Sequence, residues 1–497
     1  MWPFRAKPRQ KAGHDWDLSR PLLPLSRHDA LLLGEAFRGI FITGETGSGK
    51  TTGSGFALAM AFLRAGFGGL VLCVKPDERR TWERYCKLAG RERDLVVFDA
   101  SGNQRYSFLD AEARRSGAGA GLVEVIVQLL CTILEVAERN GGQGGREDEG
   151  YWRRAVRQLI RNLVALLLLA TGRVTVPDLY RLVVSAPTTP EQLKSDEWKK
   201  QSFCFQSLTQ ADGRPKSPRE QRDFELIADY FMLEFPGLSE KTRSVIVSTF
   251  TSMVDVLNRS LLFELFSTDT TVQPEDCLDG KIIVVDLPVK EFAEVGQFAG
   301  VLWKYAWQRA VERRDVIANP RPVFQFVDEF QHFLTSHDAL FQTTARSSRV
   351  ATVYLTQNIS NLLAGFGGEN ARAQTDSLLG NLSLKIAHLN SDPVTNEWSA
   401  SVIGRSRQFF MNTSSSYEPA DAMSQLLGMY GDPQVTTGMS EQMEFEVPPR
   451  YFTSLRTGGP GNRWHVDSIV FQGGRVFKET GKAWLPVTFD QQQGRVI

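Results

Sequence analysis

The chain has 497 residues, 57 Lys+Arg against 57 Asp+Glu and a formal net charge of +0, with 42% hydrophobic and 23% charged residues. This composition excludes wholesale disorder, and at about 150 residues per domain the length excludes a single minimal domain in favour of about three units. Charge balance excludes a chain that coats nucleic acid or anionic membrane by bulk electrostatics, so a polyanion must be met locally.

Cys73, Cys86, Cys131, Cys204 and Cys277 contain no C-x-x-C pair and make no complete disulfide framework, which points to a reducing, cytoplasmic setting. The first residues, Met1-Trp-Pro-Phe-Arg-Ala-Lys-Pro-Arg-Gln-Lys11, have charges without a following apolar run, unlike a secretory signal. The apolar stretch Leu163 to Ala170 falls far short of the roughly 18 residues that suggest a membrane span, and no transmembrane helix is expected.

Gly39 to Thr43 is a short apolar strand candidate, followed by a Gly-rich turn and a helix over Phe56 to Arg64. Strands follow at Gly69 to Val74 and Leu95 to Phe98, and the alternation implies a parallel sheet. Helical periodicity then takes over at Leu122 to Ala137 and Tyr151 to Ala170, separated by the polar, Gly-rich loop Asn140 to Gly150. A second loop, Asp212 to Arg219, precedes helices over Phe224 to Met232 and Ser239 to Leu257. The strand pattern resumes at Lys281 to Asp286, Val323 to Asp328 and Thr352 to Thr356, and Arg475 to Phe489 alternates like a terminal hairpin.

Gly44-Glu-Thr-Gly-Ser-Gly-Lys50-Thr51 is a complete G-x-x-x-x-G-K-[S/T] between an apolar strand and a helix. Backbone N–H groups of Gly44, Glu45, Thr46, Gly47, Ser48, Gly49, Lys50, Thr51 and Thr52 are placed to curl around phosphates, helped by the helix N-terminus. Lys50 is expected on the β/γ-phosphates and Thr51 on Mg²⁺. Hydrolysis needs an acidic residue for the metal and a group that orients water. The apolar strand before Asp328-Glu329 delivers both, Asp328 for Mg²⁺ and Glu329 as general base or water positioner. Asp286 is the competitor, without an adjacent Glu. Gln357, ending the next strand, suits a sensor of the γ-phosphate, and Arg346 or Arg349 an arginine finger acting in trans. No N-K-x-D guanine reader is present, which favours ATP.

The P-loop, Asp328-Glu329-Phe330, Ala345-Arg346-Ser347 and Thr356-Gln357-Asn358 together resemble the coupling-protein ATPases of type IV secretion and conjugation, the TraG/TraD-like group of the wider FtsK/HerA class of hexameric motors. Val74-Lys75-Pro76-Asp77-Glu78 is similar to that family's Asp-Pro-Lys-Gly-Glu type segment, with the order changed. Leu238 to Phe250, Asn381 to His388 and Asp392 to Gly404 also resemble family stretches. The resemblance implies an α/β, RecA-like P-loop NTPase with a mainly parallel twisted sheet and an all-helical insertion. The expected division is an N-terminal segment at 1–33, a discontinuous motor at 34–116 and 271–497, and an all-α insertion at 117–270. It further implies ATP and Mg²⁺ as ligands, DNA as substrate, a homo-hexamer, and secretion or relaxosome partners that supply membrane contact to a cytoplasmic protein.

For DNA, Arg153, Arg157 and Arg161 fall on one helix face, with Arg154 beside them, and suit phosphate contacts; a solvated face or pairing with Glu147-Asp148-Glu149 is the competing explanation. Lys7, Arg9 and Lys11 form a second small basic patch, read as a tail. Tyr151-Trp152 suits base stacking or a core, and the spacing of His332 and His337 does not suit zinc. A substrate-recruiting scaffold of a secretion machine and a HerA-like translocase of repair or defence are the alternative functions.

Overall fold

The computed structural model describes residues 16–117, 119–140, 149–416, 423, 426–428 and 434–497. A short hairpin, β1 (Pro21–Pro24) and β2 (Ala30–Leu32), precedes β3 (Ile40–Thr43) and helix α1 (Phe56–Arg64). β4 (Gly68–Leu72), α2 (Glu78–Leu88) and β5 (Leu95–Asp99) follow. The helices between Val123 and Ser267 begin with α3 (Val123–Asn140) and α4 (Glu149–Thr171). β6 (Ile282–Asp286), α5 (Val289–Glu312), β7 (Val323–Val327), α6 (His337–Ala345) and β8 (Val350–Thr356) return the chain to the sheet. It ends with β9 (Leu384–Ala387), α7 (Pro393–Ile403), the long strands β10 (Arg405–Ser416) and β11 (Gln434–Phe445), and β12 (His465–Gln472), β13 (Trp484–Asp490) and β14 (Arg495–Val496).

Ten strands form one sheet in the order β14-β13-β12-β9-β3-β8-β7-β4-β6-β5. From β9 to β5 every pairing is parallel, and β12 to β14 extend it antiparallel. β3, β4, β7 and β8 are buried along their whole length, as parallel strands covered on both faces require. On one face α1 and α2 pack over Ile40, Ile42, Val71 and Phe324; on the other, Trp303 and Trp307 of α5 share a continuous core with Leu163 of α4 and with Phe231 and Phe250 of the insertion. This is the RecA-like sheet with helical insertion, and its parallel run aligns the carboxyl ends of β3, β8, β7 and β4 along one edge.

Several sequence expectations are corrected. Strand β12, outside the expected terminal hairpin, pairs with β13, so Arg475 to Ala483 turns between strands instead of extending one. The second strand ends at Leu72, and the helix over Phe224 to Met232 starts earlier, at Pro218, where Ser217 and Glu220 form a capping box. Residues 21–32 are held on the sheet's antiparallel end: Asp29 accepts from the Lys478 and Glu479 amides, and Arg475 Nη2 donates to Ala30 O at 2.9 Å. Among the described residues no single helix is long and apolar enough to cross a membrane.

Candidate nucleotide site

The sheet order explains the site. The P-loop leaves β3 and the acidic pair leaves β7, with β8 between them, so β8 delivers its own carboxyl end, Thr356-Gln357, to the middle of the cluster. Gly47 and Gly49 adopt φ of 81° and 85°, the left-handed conformation that favours glycine, and let the loop curl. A Cβ at Gly44 would meet the Ser48 hydroxyl and His388, and one at Gly49 would meet Val466 of β12. The loop is therefore wedged between its own helix and the antiparallel extension.

Thr51 Oγ1 donates to Asp328 Oδ2 at 2.8 Å, joining the two expected metal-binding groups across 277 residues of chain. Glu329 is buried, and its unusual φ of 50° turns it back over the loop. Its Oε1 lies 3.6 Å from Lys50 Nζ and 3.3 Å from Lys75 Nζ, and it accepts from Gln357 Nε2 at 3.3 Å. Oε2 accepts from Gln331 Nε2 at 2.9 Å, and Thr356 Oγ1 orients that amide at 3.0 Å. Burial alone pushes the Glu329 carboxyl up; the charge of Lys50, the Gln331 amide, Lys75 and Gln357 outweigh it and hold the pKa at about 2. Lys75, half exposed, also lies 3.7 Å from Asp328 Oδ2. Burial, reinforced by Asp328, pushes the Glu78 carboxyl well above its usual range, although the Val74 amide donates to Glu78 Oε2 at 3.0 Å.

The rest of the expected phosphate loop is fixed by its neighbours. Glu45 accepts from Ser391 N at 3.0 Å, Thr52 Oγ1 from Gln491 Nε2 at 2.6 Å, and Thr46 and Gly47 face solvent. Ser48 Oγ is buried without a hydrogen-bond partner, an orphan that a phosphate oxygen suits. Behind the loop, His388 donates through Nδ1 to Asp467 O at 3.0 Å, which leaves Nε2 to accept from Ser54 Oγ at 2.7 Å. Burial pushes its pKa down to about 4, so it stays neutral.

Other candidates lie elsewhere. Asp286 is held with Asp99 by Arg79 Nη1, at 3.3 and 2.9 Å, a strand-end carboxylate in an ion-pair fork. Arg346 is exposed before the amino end of β8, about 20 Å along that seven-residue strand from Gln357. Arg349 is committed to its turn, with φ of 50° and Nη1 donating to Pro320 O at 3.0 Å. On the insertion, Arg161 pairs with Glu124 and Arg157 Nη2 donates to Gln128 Oε1 at 2.8 Å, so both tie α4 to α3. Arg154 is exposed. The side chains of Tyr151, Trp152, Arg153 and Glu149, and residues 141–148 of the expected loop, lie outside the described residues. No group of three or more His, Cys, Asp and Glu side chains able to hold a metal occurs among the described residues, His332 and His337 included.

Sequence reasoning left Lys75 without a role and missed Gln331 and His388. Gln331 sits two residues from Glu329 and was legible as a polar side chain beside the acidic pair; His388 had no local signal.

Solved structures similar to this one in fold include the plasmid coupling protein TrwB with the GTP analogue GDPNP, at TM-score 0.58 and 12% identity over 96% of this chain and 93% of that one. TrwB with the ATP analogue ADPNP matches at 0.56 and 14%, over 98% of each chain, and TrwB with ADP and Mg²⁺ at 0.55 and 12%, over 93% and 88%. The chain has a coupling-protein fold. A family model described as the TraM recognition site of TraD and TraG matches residues 322–444, a stretch that contains Asp328, Glu329, Arg346 and Gln357. No curated protein matches the sequence. In this coupling-protein fold the matched stretch runs from β7 through the ribbon β10–β11.

Proposed function

We propose that the chain is an ATPase of a ring motor that couples ATP hydrolysis to DNA movement in conjugative transfer. The observation that carries this reading is the convergence of Lys50, Thr51, Asp328, Glu329 and Gln357 on one sheet edge, while Arg346 is exposed near the other. A finger so placed serves a neighbouring copy's site, which makes a closed ring, a homo-hexamer by family resemblance, the natural assembly.

Thr51 and Asp328 would hold Mg²⁺, which supplies charge neutralisation at the β- and γ-phosphate oxygens. Lys50 moves from Glu329 to the phosphates, with the loop amides and the Ser48 hydroxyl around them. That transfer removes the foremost charge depressing Glu329 and makes it a stronger base toward the attacking water. Gln331 and Gln357 keep its carboxylate oriented, and Gln357 is within reach of the same water. DNA is met on the ring's inner surface; Arg154 remains available to it, whereas Arg157 and Arg161 are spent on helix packing. On the same reading, the protein works in the cytoplasm, at the inner membrane through relaxosome or secretion partners.

The TraM-recognition description of the matched stretch favours a second reading, a receptor that recruits partners and uses ATP for assembly. Glu329→Gln separates the two. Under the motor reading, the variant binds ATP but loses DNA-stimulated hydrolysis and transfer; transfer that survives in the variant overturns the motor.

A further inference from the structure

The sheet order gives the loop a direction. Asp328 and Glu329 follow β7 and Gln357 follows β8, all on one side of β3, so the γ-phosphate end of a nucleotide on the loop belongs on that side. The nucleoside end then leaves toward the other side, where β9, β12 and β13 lie. Ile469 of β12 pairs with Ala387, the last residue of β9, and His465 pairs with Asp490. The start of β12 and the end of β13 therefore project four residues, about 13 Å, beyond the sheet's carboxyl edge. That projection stands against the loop: Val466 packs beside Gly49 and Gly53, and Gln491 Nε2 donates to Thr52 Oγ1 at 2.6 Å.

The turn that leads into β12 displays a tryptophan there. Gln491 Oε1 accepts from Gly459 N at 2.8 Å and Gln491 N donates to Trp464 O at 2.9 Å, so both ends of the turn 459–464 are tied to the residue that holds Thr52. Arg463 and Trp464 have φ of 56° and 63°, two bulky residues in succession in the left-handed region. The turn enforces this conformation, with Trp464 N donating to Gly459 O at 2.8 Å and Arg463 N to Pro460 O at 3.1 Å. Strained backbone held in this way collects at active sites and ligand clamps. Packing does not account for it. Trp464 is 40% exposed, the most exposed tryptophan among the described residues, whereas Trp82, Trp303 and Trp307 are buried in the cores. An indole displayed on the nucleoside side of a phosphate loop suits a flat aromatic partner, and every nucleobase offers a π-face.

We propose that Trp464 stacks on the purine base of the nucleotide held by Lys50 and Thr51, with the turn 459–464 and Gln491 as the base subsite. This inference rests on the nucleotide-binding part of the reading above. A ring face carries no pattern of donors and acceptors, so the contact strengthens adenine and guanine nucleotides alike. Calorimetric titration of the full chain with ADP, GDP and inorganic tripolyphosphate, each with Mg²⁺, tests it. Trp464→Ala weakens ADP and GDP by about tenfold each and leaves tripolyphosphate, which has no base, within about twofold. Trp464→Tyr, which keeps an aromatic ring, holds ADP within about threefold of the unaltered chain. Trp464→Gly, which the left-handed backbone suits, melts at a higher temperature than Trp464→Ala yet binds ADP no better, so the lost affinity follows the ring and not the fold. Unchanged ADP affinity in Trp464→Ala, a loss that tripolyphosphate shares, or ADP affinity restored in Trp464→Gly overturns the proposal and leaves the nucleotide reading standing. An unaltered chain that binds neither ADP nor tripolyphosphate overturns both.

Discussion

Directly beneath the acidic pair, Lys304 and Asp338 form an ion pair with no solvent exposure at either side chain. The ammonium also donates to Phe333 O and to Thr335 Oγ1, and lies 5.1 Å from the Phe330 ring. Asp338 Oδ2 accepts from Thr335 N at 2.7 Å, and Oδ1 from Gln308 Nε2 at 3.2 Å and Tyr354 Oη at 3.3 Å. Phe330, next to Glu329, stacks on Tyr354 at 3.5 Å, so the network supports the turn that carries Glu329. Asp338→Asn keeps the shape and strands a buried ammonium, which costs about 3–5 kcal/mol. Lys304→Met strands the carboxylate at a similar cost. Lys304→Met/Asp338→Asn strands neither charge and recovers most of the loss, giving a coupling of about 2 kcal/mol or more. Urea melts read by fluorescence of the buried Trp303 and Trp307 measure all three. A loss below about 1 kcal/mol for Asp338→Asn, or additive single variants, would refute the argument that this pair is buried and mutually dependent.

Two further outcomes follow from named contacts. Arg346→Ala should lower ATP hydrolysis by about 10³ with ATP binding intact, whereas Arg349→Ala, by releasing Pro320 O and its turn, should lower melting temperature with a smaller effect on turnover; the reverse pattern would exchange their roles. His388, with a folded pKa of about 4 against 6.5 for a free imidazole, is protonated first in the unfolded chain as pH falls. Stability is therefore lost between about pH 6.5 and 4, by up to about 3 kcal/mol from this group, and His388→Gln should flatten that dependence in melts at stepped pH.

The positions of the Gly-rich loop and the acidic pair were legible because their signals are local: β3, the Gly-rich turn and α1 are consecutive, and an apolar strand announces Asp328. What escaped depends on partners far apart in sequence. His388 meets Ser54 and Asp467, 334 and 79 residues away. The spacing of Arg157 and Arg161 on one helix face was readable, but Glu124 and Gln128 across α3, which occupy them, were not. The ribbon was missed because, apart from Phe445 at its root, its strands do not pack into a core: they are rich in Ser, Thr and Gln, and Phe409, Phe410, Met411 and Met439 face water. Arg349 and Arg346, three residues apart, look alike in sequence and part only when Pro320 O engages one of them.

The central claim is a ring in which one copy completes its neighbour's site. Particle imaging of the full chain with a non-hydrolysable ATP analogue and DNA tests it in one measurement. The account predicts closed rings with DNA in the channel and Arg346 of each copy against the nucleotide held by Lys50 and Thr51 of the next. Monomers under those conditions, or rings in which Arg346 faces solvent and away from the neighbouring nucleotide, would contradict it.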